Sequence, residues 1–147
     1  MTYNCTIEQQ SENMFIVHFP DMQNVTTYGK TPEDAKNMAK EALEAVLETD
    51  IEENFPIPEP EYKGGTEIEV SPKIAFAIEL RKARGNRTQK EVAQRAGMSY
   101  QQYQRLENPK KTNPTLEMLY RLQKVFKRPF LASGDYNHYE SGENRQN

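Results

Sequence analysis

The chain has 147 residues, of which 35% are hydrophobic and none is tryptophan. This length and composition favour two modest hydrophobic cores over one large core. The charge is divided as well: residues 1–72 carry 4 Lys+Arg against 15 Asp+Glu, residues 73–131 carry 14 against 4, and residues 132–147 carry 1 against 3. This division predicts two domains with different partners, the second suited to a polyanion, followed by a disordered polar tail.

Several classes of function are disfavoured by what the sequence lacks. It has no apolar run of the roughly 18 residues that a membrane helix needs and no basic-then-apolar leader, so we expect a cytoplasmic protein. The single cysteine, Cys5, cannot form an internal disulfide, and its position in a predicted strand is typical of a core residue. His18 and His138 lie far apart, without cysteines or carboxylates at ligand spacing. We therefore predict no metal, no cofactor, no small-molecule substrate and no catalytic residue.

The acidic region begins with patterns typical of β-strands. Residues 2–9 alternate between apolar and polar side chains, as a half-buried strand does, whereas residues 14–19 are apolar on both sides. These two runs predict a hairpin, and the second strand should lie in the centre of a sheet or have its outer face covered. Shorter runs at residues 25–28 and 66–70 predict a third and a fourth strand.

One long helix is predicted between the third and fourth strands. Thr31 is a suitable N-cap, Pro32 suits the first helical position, and the acidic residues that follow favour the positive end of the helix dipole. Apolar residues then recur at steps of three and four, so one stripe of the helix should pack on a sheet. Residues 55–65, rich in proline and glycine, predict a stiff connector. For residues 1–72 we therefore predict a small antiparallel sheet with one packed helix, in the order β-β-β-α-β.

The basic region is centred on two short helices joined by a tight turn, within residues 87–107. Two pairs have the spacing of a capping box: Thr88 with Glu91, and Ser99 with Gln102. Gly97 lies between the helices, where the chain must turn sharply and often needs a positive φ. One helix before this pair and one after it complete a predicted all-α domain of four to five helices over residues 73–131. The chain as a whole is therefore predicted to be α+β.

The outward face of the second short helix carries side chains suited to reading bases. Gln101 and Arg105 lie four positions apart on one face, and in the major groove an amide pairs with adenine while an arginine pairs with guanine. The residues predicted to contact bases are Tyr100, Gln101, Gln102 and Arg105. The alternative is a solvated helix face rich in glutamine. The capping pairs, the glycine and the basic surroundings favour DNA binding.

The loop after this helix contains lysines and amides that suit phosphate contacts, although it would also suit a merely solvated loop. The residues predicted to contact phosphates are Thr88, Gln89, Asn108, Lys110, Lys111 and Asn113. Thr115 is then expected to cap a last helix that buries Leu116, Leu119, Leu122, Val125 and Phe126. Because one reading helix covers only a few base pairs, we expect a homodimer or a dimer of dimers.

The basic region resembles the helix-turn-helix domain of the Cro/phage-repressor (XRE) family from about Pro72 to Leu131. The matching positions are Gln89, Ala93, Gly97, Leu106, the pair Glu107-Asn108 and the run Asn113-Pro114-Thr115. One position departs from the pattern, because Tyr103 stands where the family usually has a β-branched aliphatic residue. We expect Tyr103 to shift the packing between the two helices.

Residues 1–72 resemble the HicB antitoxin domain. The similarity lies in the paired opening strands, the alanine-rich acidic helix and four motifs: Phe19-Pro20-Asp21, Gly29 before Thr31-Pro32-Glu33-Asp34-Ala35, Phe55-Pro56-Ile57-Pro58-Glu59-Pro60, and Ser71-Pro72. The run Met22-Gln23-Asn24-Val25 departs from the Leu-Pro-Gly-Cys-like sequence usual in the family. The resemblance implies a partial RNase H-like fold and an antitoxin whose partner is a small, basic, HicA-like toxin that cleaves mRNA.

Together, the resemblance and the charge division predict an acidic domain that neutralises the toxin and a basic domain that represses its own operon at operator DNA. The predicted toxin-facing residues cluster around the end of the hairpin: Phe15, His18, Phe19, Asp21 and Tyr28. Two alternatives remain open. One is a phage-type repressor whose first domain dimerises or senses a ligand. The other is a nuclease, for which the strands offer only three carboxylates, those of Glu8, Glu67 and Glu69.

Overall fold

The computed structural model describes residues 1–130, which form four strands and five helices. The strands are β1 (Thr2–Ser11), β2 (Met14–His18), β3 (Thr26–Gly29) and β4 (Thr66–Glu69). The helices are α1 (Pro32–Glu52), α2 (Pro72–Arg84), α3 (Gln89–Arg95), α4 (Tyr100–Leu106) and α5 (Leu116–Phe126). The chain divides into two compact units, residues 1–71 and a second unit that begins at Pro72. The α+β class is confirmed, and the predicted disordered tail lies outside the described residues.

The first unit is built on one antiparallel sheet with the strand order β3-β2-β1-β4. The long strand β1 pairs with β2 along its second half, where Thr6 lies opposite His18. Its first half pairs with β4, where Tyr3 lies opposite Ile68. The doubly apolar strand β2 therefore lies between two other strands, which confirms the prediction of a central position.

Helix α1 covers one face of this sheet and contacts all four strands. Its fully buried residues lie four positions apart, as the predicted stripe requires: Ala35, Ala39, Leu43 and Leu47. The sheet contributes Tyr3, Cys5 and Val17 to the same core, each with 0% exposure. Burial raises the pKa of the Cys5 thiol, as expected for a core cysteine. Within residues 1–130, no helix combines the length and the apolar character needed to span a membrane.

The start of α1 is fixed by its cap and by a close approach to β3. Thr31 is the N-cap, and its Oγ1 accepts a hydrogen bond from the Asp34 backbone N–H at 3.0 Å. The Asp34 carboxylate in turn accepts from the Lys30 N–H at 2.9 Å. Gly29, the last residue of β3, lies so close to the helix that a Cβ atom there would collide with the Ala35 backbone. Glycine is required at this position for its small size.

The proline connector is tied back to the sheet by side chains of the first unit. The Asp21 carboxylate accepts hydrogen bonds from the backbone N–H groups of Glu61 and Tyr62, each at 3.0 Å. The Tyr3 hydroxyl donates to the Pro58 carbonyl at 2.5 Å. These bonds join residues about 40 and 55 positions apart in the chain, so the connector has a defined path.

The helices of the second unit enclose a separate core. Its buried members are Phe76, Leu80, Val92, Ala93, Ala96, Tyr103, Leu106, Leu122 and Phe130. In α2, Ile74, Ala77 and Ile78 are buried. The prediction that Leu116 faces inward is wrong, because this side chain is 86% exposed. Leu116 lies about 120° around the helix from the buried Leu122, outside the apolar stripe.

We expect Gly29→Ala to lower the free energy of unfolding by about 1–3 kcal/mol, since the new methyl group forces α1 away from β3. The matched control is Gly64→Ala, where a Cβ atom meets only the flexible side chain of Tyr62. Urea unfolding followed by circular dichroism measures both changes. Equal effects at the two glycines would contradict the tight contact between β3 and α1.

Candidate functional site

The two short helices at the centre of the second unit both begin with a complete capping box. Thr88 Oγ1 accepts from the Glu91 N–H at 3.1 Å, and the Thr88 N–H donates to the Glu91 carboxylate at 3.3 Å. Ser99 and Gln102 repeat the arrangement, with distances of 3.1 Å and 3.0 Å. Both predicted boxes are confirmed. Each cap contributes about 1 kcal/mol and fixes the residue at which its helix begins.

The turn between α3 and α4 is closed by two backbone hydrogen bonds around Gly97. The Gly97 N–H donates to the Gln94 carbonyl at 3.2 Å, and the Met98 N–H donates to the Ala93 carbonyl at 3.0 Å. This is the Schellman pattern, which needs a left-handed residue, and Gly97 has a φ of 67°. From α5, Arg121 Nη1 donates to the Gly97 carbonyl at 2.9 Å. Sequence reasoning found the glycine but missed the arginine.

A buried carboxylate joins three helices at the base of α4. Glu107, the C-cap of α4, is 5% exposed and forms an ion pair with Arg84 at the end of α2. Arg84 Nε and Nη2 donate to its two oxygens at 2.7 Å and 3.0 Å. Gln89 at the start of α3 donates to the same carboxylate at 3.3 Å. The hydrogen bond to Glu107 raises the pKa of Arg84, so the guanidinium stays charged.

Sequence reasoning assigned Glu107 only to a family motif and missed its role in positioning the helices. The available signal was a single carboxylate directly after a buried leucine, in a region with 14 basic and 4 acidic residues. A charge in that position needs a buried partner of opposite sign, because an unpaired charge is costly to remove from water. Which of the 14 basic residues supplies that partner depends on the fold.

Tyr103, the position that departs from the family pattern, is fully buried in the core of the second unit. It shares this core with two small residues, Ala93 and Ala96. Its hydroxyl lies close to Glu107 but, among residues 1–130, has no partner in hydrogen-bond geometry. Burial, followed by the neighbouring carboxylate, raises the pKa of Tyr103, so the phenol remains neutral. The predicted shift in helix packing stays a prediction.

The four residues predicted to read bases differ in how free their side chains are. Gln101 and Arg105 are exposed, and within the described residues neither side chain has a hydrogen-bond or ion-pair partner. The Gln102 amide oxygen is occupied by its capping bond. Tyr100 is half-buried, with the Lys90 ammonium 5.4 Å from the centre of its ring. Gln101 and Arg105, one helical turn apart on α4, are therefore the two of these four side chains that make no hydrogen bond, ion pair or ring contact with the described residues.

The six residues predicted to contact phosphates divide in a similar way. Thr88 and Gln89 are engaged in the cap of α3 and in the Glu107 cluster, and Asn108 accepts the Lys110 N–H at 3.0 Å. The remaining three are exposed side chains of the loop after α4: Lys110, Lys111 and Asn113. The loop is anchored by the buried Thr112, whose N–H donates to the Asn108 carbonyl at 2.8 Å. A rigid turn thus presents two adjacent lysines.

All four acidic residues of the basic region are used inside the second unit. Glu91 serves in a capping box, and the other three form ion pairs: Glu79 with Arg128 at 2.9 Å, Glu107 with Arg84 at 2.7 Å, and Glu117 with Arg121 at 2.7 Å. The carboxylates thus neutralise three arginines that have structural roles. Arg105, Lys110 and Lys111 keep their charge beside α4, where a polyanion can be attracted.

The predicted toxin-facing residues of the first unit do not share one surface. Phe19 has 0% exposure, and the Asp21 carboxylate is occupied by the connector, so neither is available to a partner in this conformation. Phe15 is half-buried on the side of β2 that carries Val17. His18 and Tyr28 are exposed and lie on the opposite face of the sheet.

Comparison with known families agrees with this division of the chain. The family described as HicB_like antitoxin of bacterial toxin-antitoxin system matches residues 2–79. A helix-turn-helix family matches residues 78–131. Both resemblances predicted from sequence motifs are thereby confirmed.

Curated relatives of this chain carry the name antitoxin. Antitoxin HicB 1 of Photorhabdus laumondii subsp. laumondii is 33% identical over 108 residues, which cover 72% of this chain and 70% of that protein. Antitoxin HicB of Escherichia coli is 32% identical over 112 residues, or 74% of this chain and 81% of that protein. Antitoxin HicB 2 of the same Photorhabdus is 35% identical over 72 residues, or 49% of this chain and 52% of that protein.

We expect Glu107→Gln to lower the free energy of unfolding by about 3 kcal/mol, because it leaves the largely buried Arg84, 17% exposed, without a counter-charge. Glu117→Gln is the control, since it breaks an ion pair of the same length that is exposed, at a cost below about 0.5 kcal/mol. Urea unfolding measures both. Adding Arg84→Met to Glu107→Gln should recover part of the loss, and no recovery would refute the unpaired charge as its cause.

Proposed function

We propose that this chain, which belongs to the HicB-like antitoxin family, neutralises a small, basic, HicA-like toxin and represses its own operon. The chain is an antitoxin with a DNA-binding helix-turn-helix of the XRE type. Neutralisation falls to the acidic first unit and repression to the basic second unit. The toxin is proposed to be an mRNA-cleaving enzyme, and the antitoxin itself catalyses no reaction.

The single observation that carries this proposal is the opposite sign of the charges available in the two units. Residues 1–72 carry 15 acidic and 4 basic residues, whereas all four acids of residues 73–131 are engaged internally. An enzyme that holds RNA must present cations to phosphates, so an acidic surface attracts and covers it. A basic unit attracts operator DNA for the same physical reason.

The DNA contacts are proposed to centre on α4. Its exposed pair, Gln101 and Arg105, would pair with an adenine and a guanine at neighbouring base steps of the major groove. Lys110, Lys111 and Asn113 would then hold the adjacent phosphates and set the register of the helix. Tyr100 and Gln102 lie on the flank of the same surface, and Thr88, Gln89 and Asn108 lie at its edge, where their engaged side chains stabilise the site.

A homodimer or a dimer of dimers is proposed for operator binding. One reading helix contacts only a few base pairs, which is too few to specify a site in a genome. Two copies would place two α4 helices in successive major grooves, on half-sites about 34–36 Å apart or a multiple of that distance.

Changing Gln101 or Arg105 to alanine should each cost roughly 1–3 kcal/mol of operator affinity, about 5- to 150-fold, and relax the choice of sequence. Both variants should still restore growth when co-expressed with the toxin, which the proposal expects to be a small basic protein encoded beside this gene. Lys124→Ala removes an exposed charge from α5 of the same unit and is the control. Fluorescence anisotropy with operator DNA and growth rescue measure the two activities.

Two results would overturn the proposal. If the neighbouring protein is harmless when expressed alone, the chain is a repressor whose first unit has another task, such as dimerisation or ligand sensing. If Gln101→Ala and Arg105→Ala bind the operator as tightly as the control does, α4 does not read the bases.

The double change Lys110→Ala with Lys111→Ala should weaken binding to all DNA sequences equally. It should also lower the slope of log affinity against log salt by about 0.9 for each lost phosphate contact. The matched control is Lys36→Ala with Lys40→Ala, which removes two exposed lysines from α1 of the acidic unit. Titrations at several salt concentrations give the slopes, and an unchanged slope would exclude both lysines from the phosphate contacts.

A further inference from the structure

We infer that the toxin binds the face of the sheet that is turned away from α1, an inference that rests on the proposed function. We call this surface the outer face. It is represented by Thr6, Glu8, Ile16, His18, Tyr28 and Glu67. Its proposed occupant is a small basic protein whose RNA-binding cations would lie against the carboxylates and whose apolar side chains would contact Tyr28.

Strand pairing places these residues on one surface. Val17 is buried against α1, so its neighbours in β2, Ile16 and His18, point to the other side of the sheet. Glu8 and Tyr28 lie opposite Ile16 on the two flanking strands. These three residues form a row across β1, β2 and β3, and His18 lies in the next row.

The second row extends the same surface toward β4. His18 lies between Thr6 of β1 and Thr26 of β3. Beyond it, Asn4 of β1 lies opposite Glu67 of β4. Asn4 alternates with the buried Tyr3 and Cys5, so Glu67 also points outward.

Within the first unit, no strand, helix or connector covers this surface. Tyr28 is 54% exposed, and Glu8, His18 and Glu67 are exposed as well. Ile16 is half-buried among its neighbours and remains accessible at the centre of its row. An antiparallel sheet with one covered face leaves its second face either to water or to a partner.

The chemistry of the outer face suits a cationic protein. The four strands contain three carboxylates and no lysine or arginine. All three, Glu8, Glu67 and Glu69, belong to this face by strand alternation. An exposed tyrosine beside an isoleucine supplies the aromatic and apolar contact that anchors most protein interfaces.

The acidic helix is a weaker candidate for the same partner. Along its exposed side, Lys36 lies three positions after Glu33, a spacing at which opposite charges screen one another, and Lys40 adds a second cation next to Glu41. Two further carboxylates of α1 are occupied by the chain itself. Asp34 accepts the Lys30 N–H at 2.9 Å, and Glu44 accepts the Ser71 N–H at 2.6 Å. Helix α1 thus presents charge of both signs, with seven carboxylates and two lysines, whereas the strands of the outer face carry three carboxylates and no lysine or arginine.

The first test compares charge reversals on the two surfaces of the full chain. Glu8→Lys with Glu67→Lys changes the outer face, and Glu33→Lys with Glu41→Lys makes the same change in net charge on α1. The probe is the purified small basic protein that the proposed function expects to be encoded beside this gene. We expect the outer-face variant to bind it at least about tenfold more weakly, and the helix variant to lose less than about threefold. Isothermal titration calorimetry measures both affinities, and circular dichroism melting reports folding.

The outcomes separate this inference from the proposed function. If the unchanged chain does not bind the toxin, the proposed function fails. If the unchanged chain binds and the helix variant loses as much affinity as the outer-face variant, or more, the inference is overturned while the proposed function stands.

A second measurement needs no variant and is therefore independent of folding defects. Hydroxyl-radical footprinting of the unchanged chain compares Tyr28, which is 54% exposed, with Tyr120 of α5, which is 57% exposed. Bound toxin should protect Tyr28 from oxidation at least about threefold and leave Tyr120 unchanged. Oxidation of Tyr28 at the same rate with and without toxin would overturn the inference.

Discussion

The position of α4, the helix proposed to read DNA, depends on the buried ion pair between Glu107 and Arg84. The pair joins the ends of α4 and α2, and Gln89 adds the start of α3 to the same carboxylate. Removing both charges from water costs nearly as much as their attraction returns, so the pair contributes little net stability. Its effect is on geometry, because any displacement of α4 pulls apart two opposite charges that are largely removed from water. The reading face is therefore held by a contact on the opposite side of its helix.

In the second unit, the carboxylates and the capping side chains are satisfied internally, and the groups proposed to act are the ones left over. Gln101 and Gln102 are adjacent amides on the same short helix, but only Gln102 completes a capping box. The four carboxylates of this unit all have structural roles, since each takes part in a helix cap or in an ion pair with an arginine. What remains on α4 and in the loop after it includes the Gln101 amide, Arg105 and two lysines, a set that suits bases and phosphates.

The parts of the fold that could be predicted from sequence are those fixed by nearby residues. Caps at Thr31, Thr88, Ser99 and Thr115 depend on contacts three residues away, and all four are present. Other features depend on residues that only the fold brings together. Asp21 bonds to backbone groups 40 and 41 positions further along the chain, and Glu107 pairs with Arg84 across 23 positions. Spacing rules carry no information about such pairs, so Asp21 was predicted to face a partner and Glu107 received no role.

The hairpin residues show the same dependence on the fold, because only the structure assigns each of them to one face of the sheet. Sequence alternation separates the two sides of β2, but because both sides are apolar it cannot tell which side α1 covers. Val17 and Phe19, with 0% exposure, identify the covered side, and this assigns His18 and Tyr28 to the opposite side. A sheet face that only had to meet water would gain nothing from an exposed tyrosine or from the absence of lysine and arginine. A face that had to attract a cationic protein would need the tyrosine as an anchor for that protein. It would also need to lack lysine and arginine, because a basic residue would repel the partner.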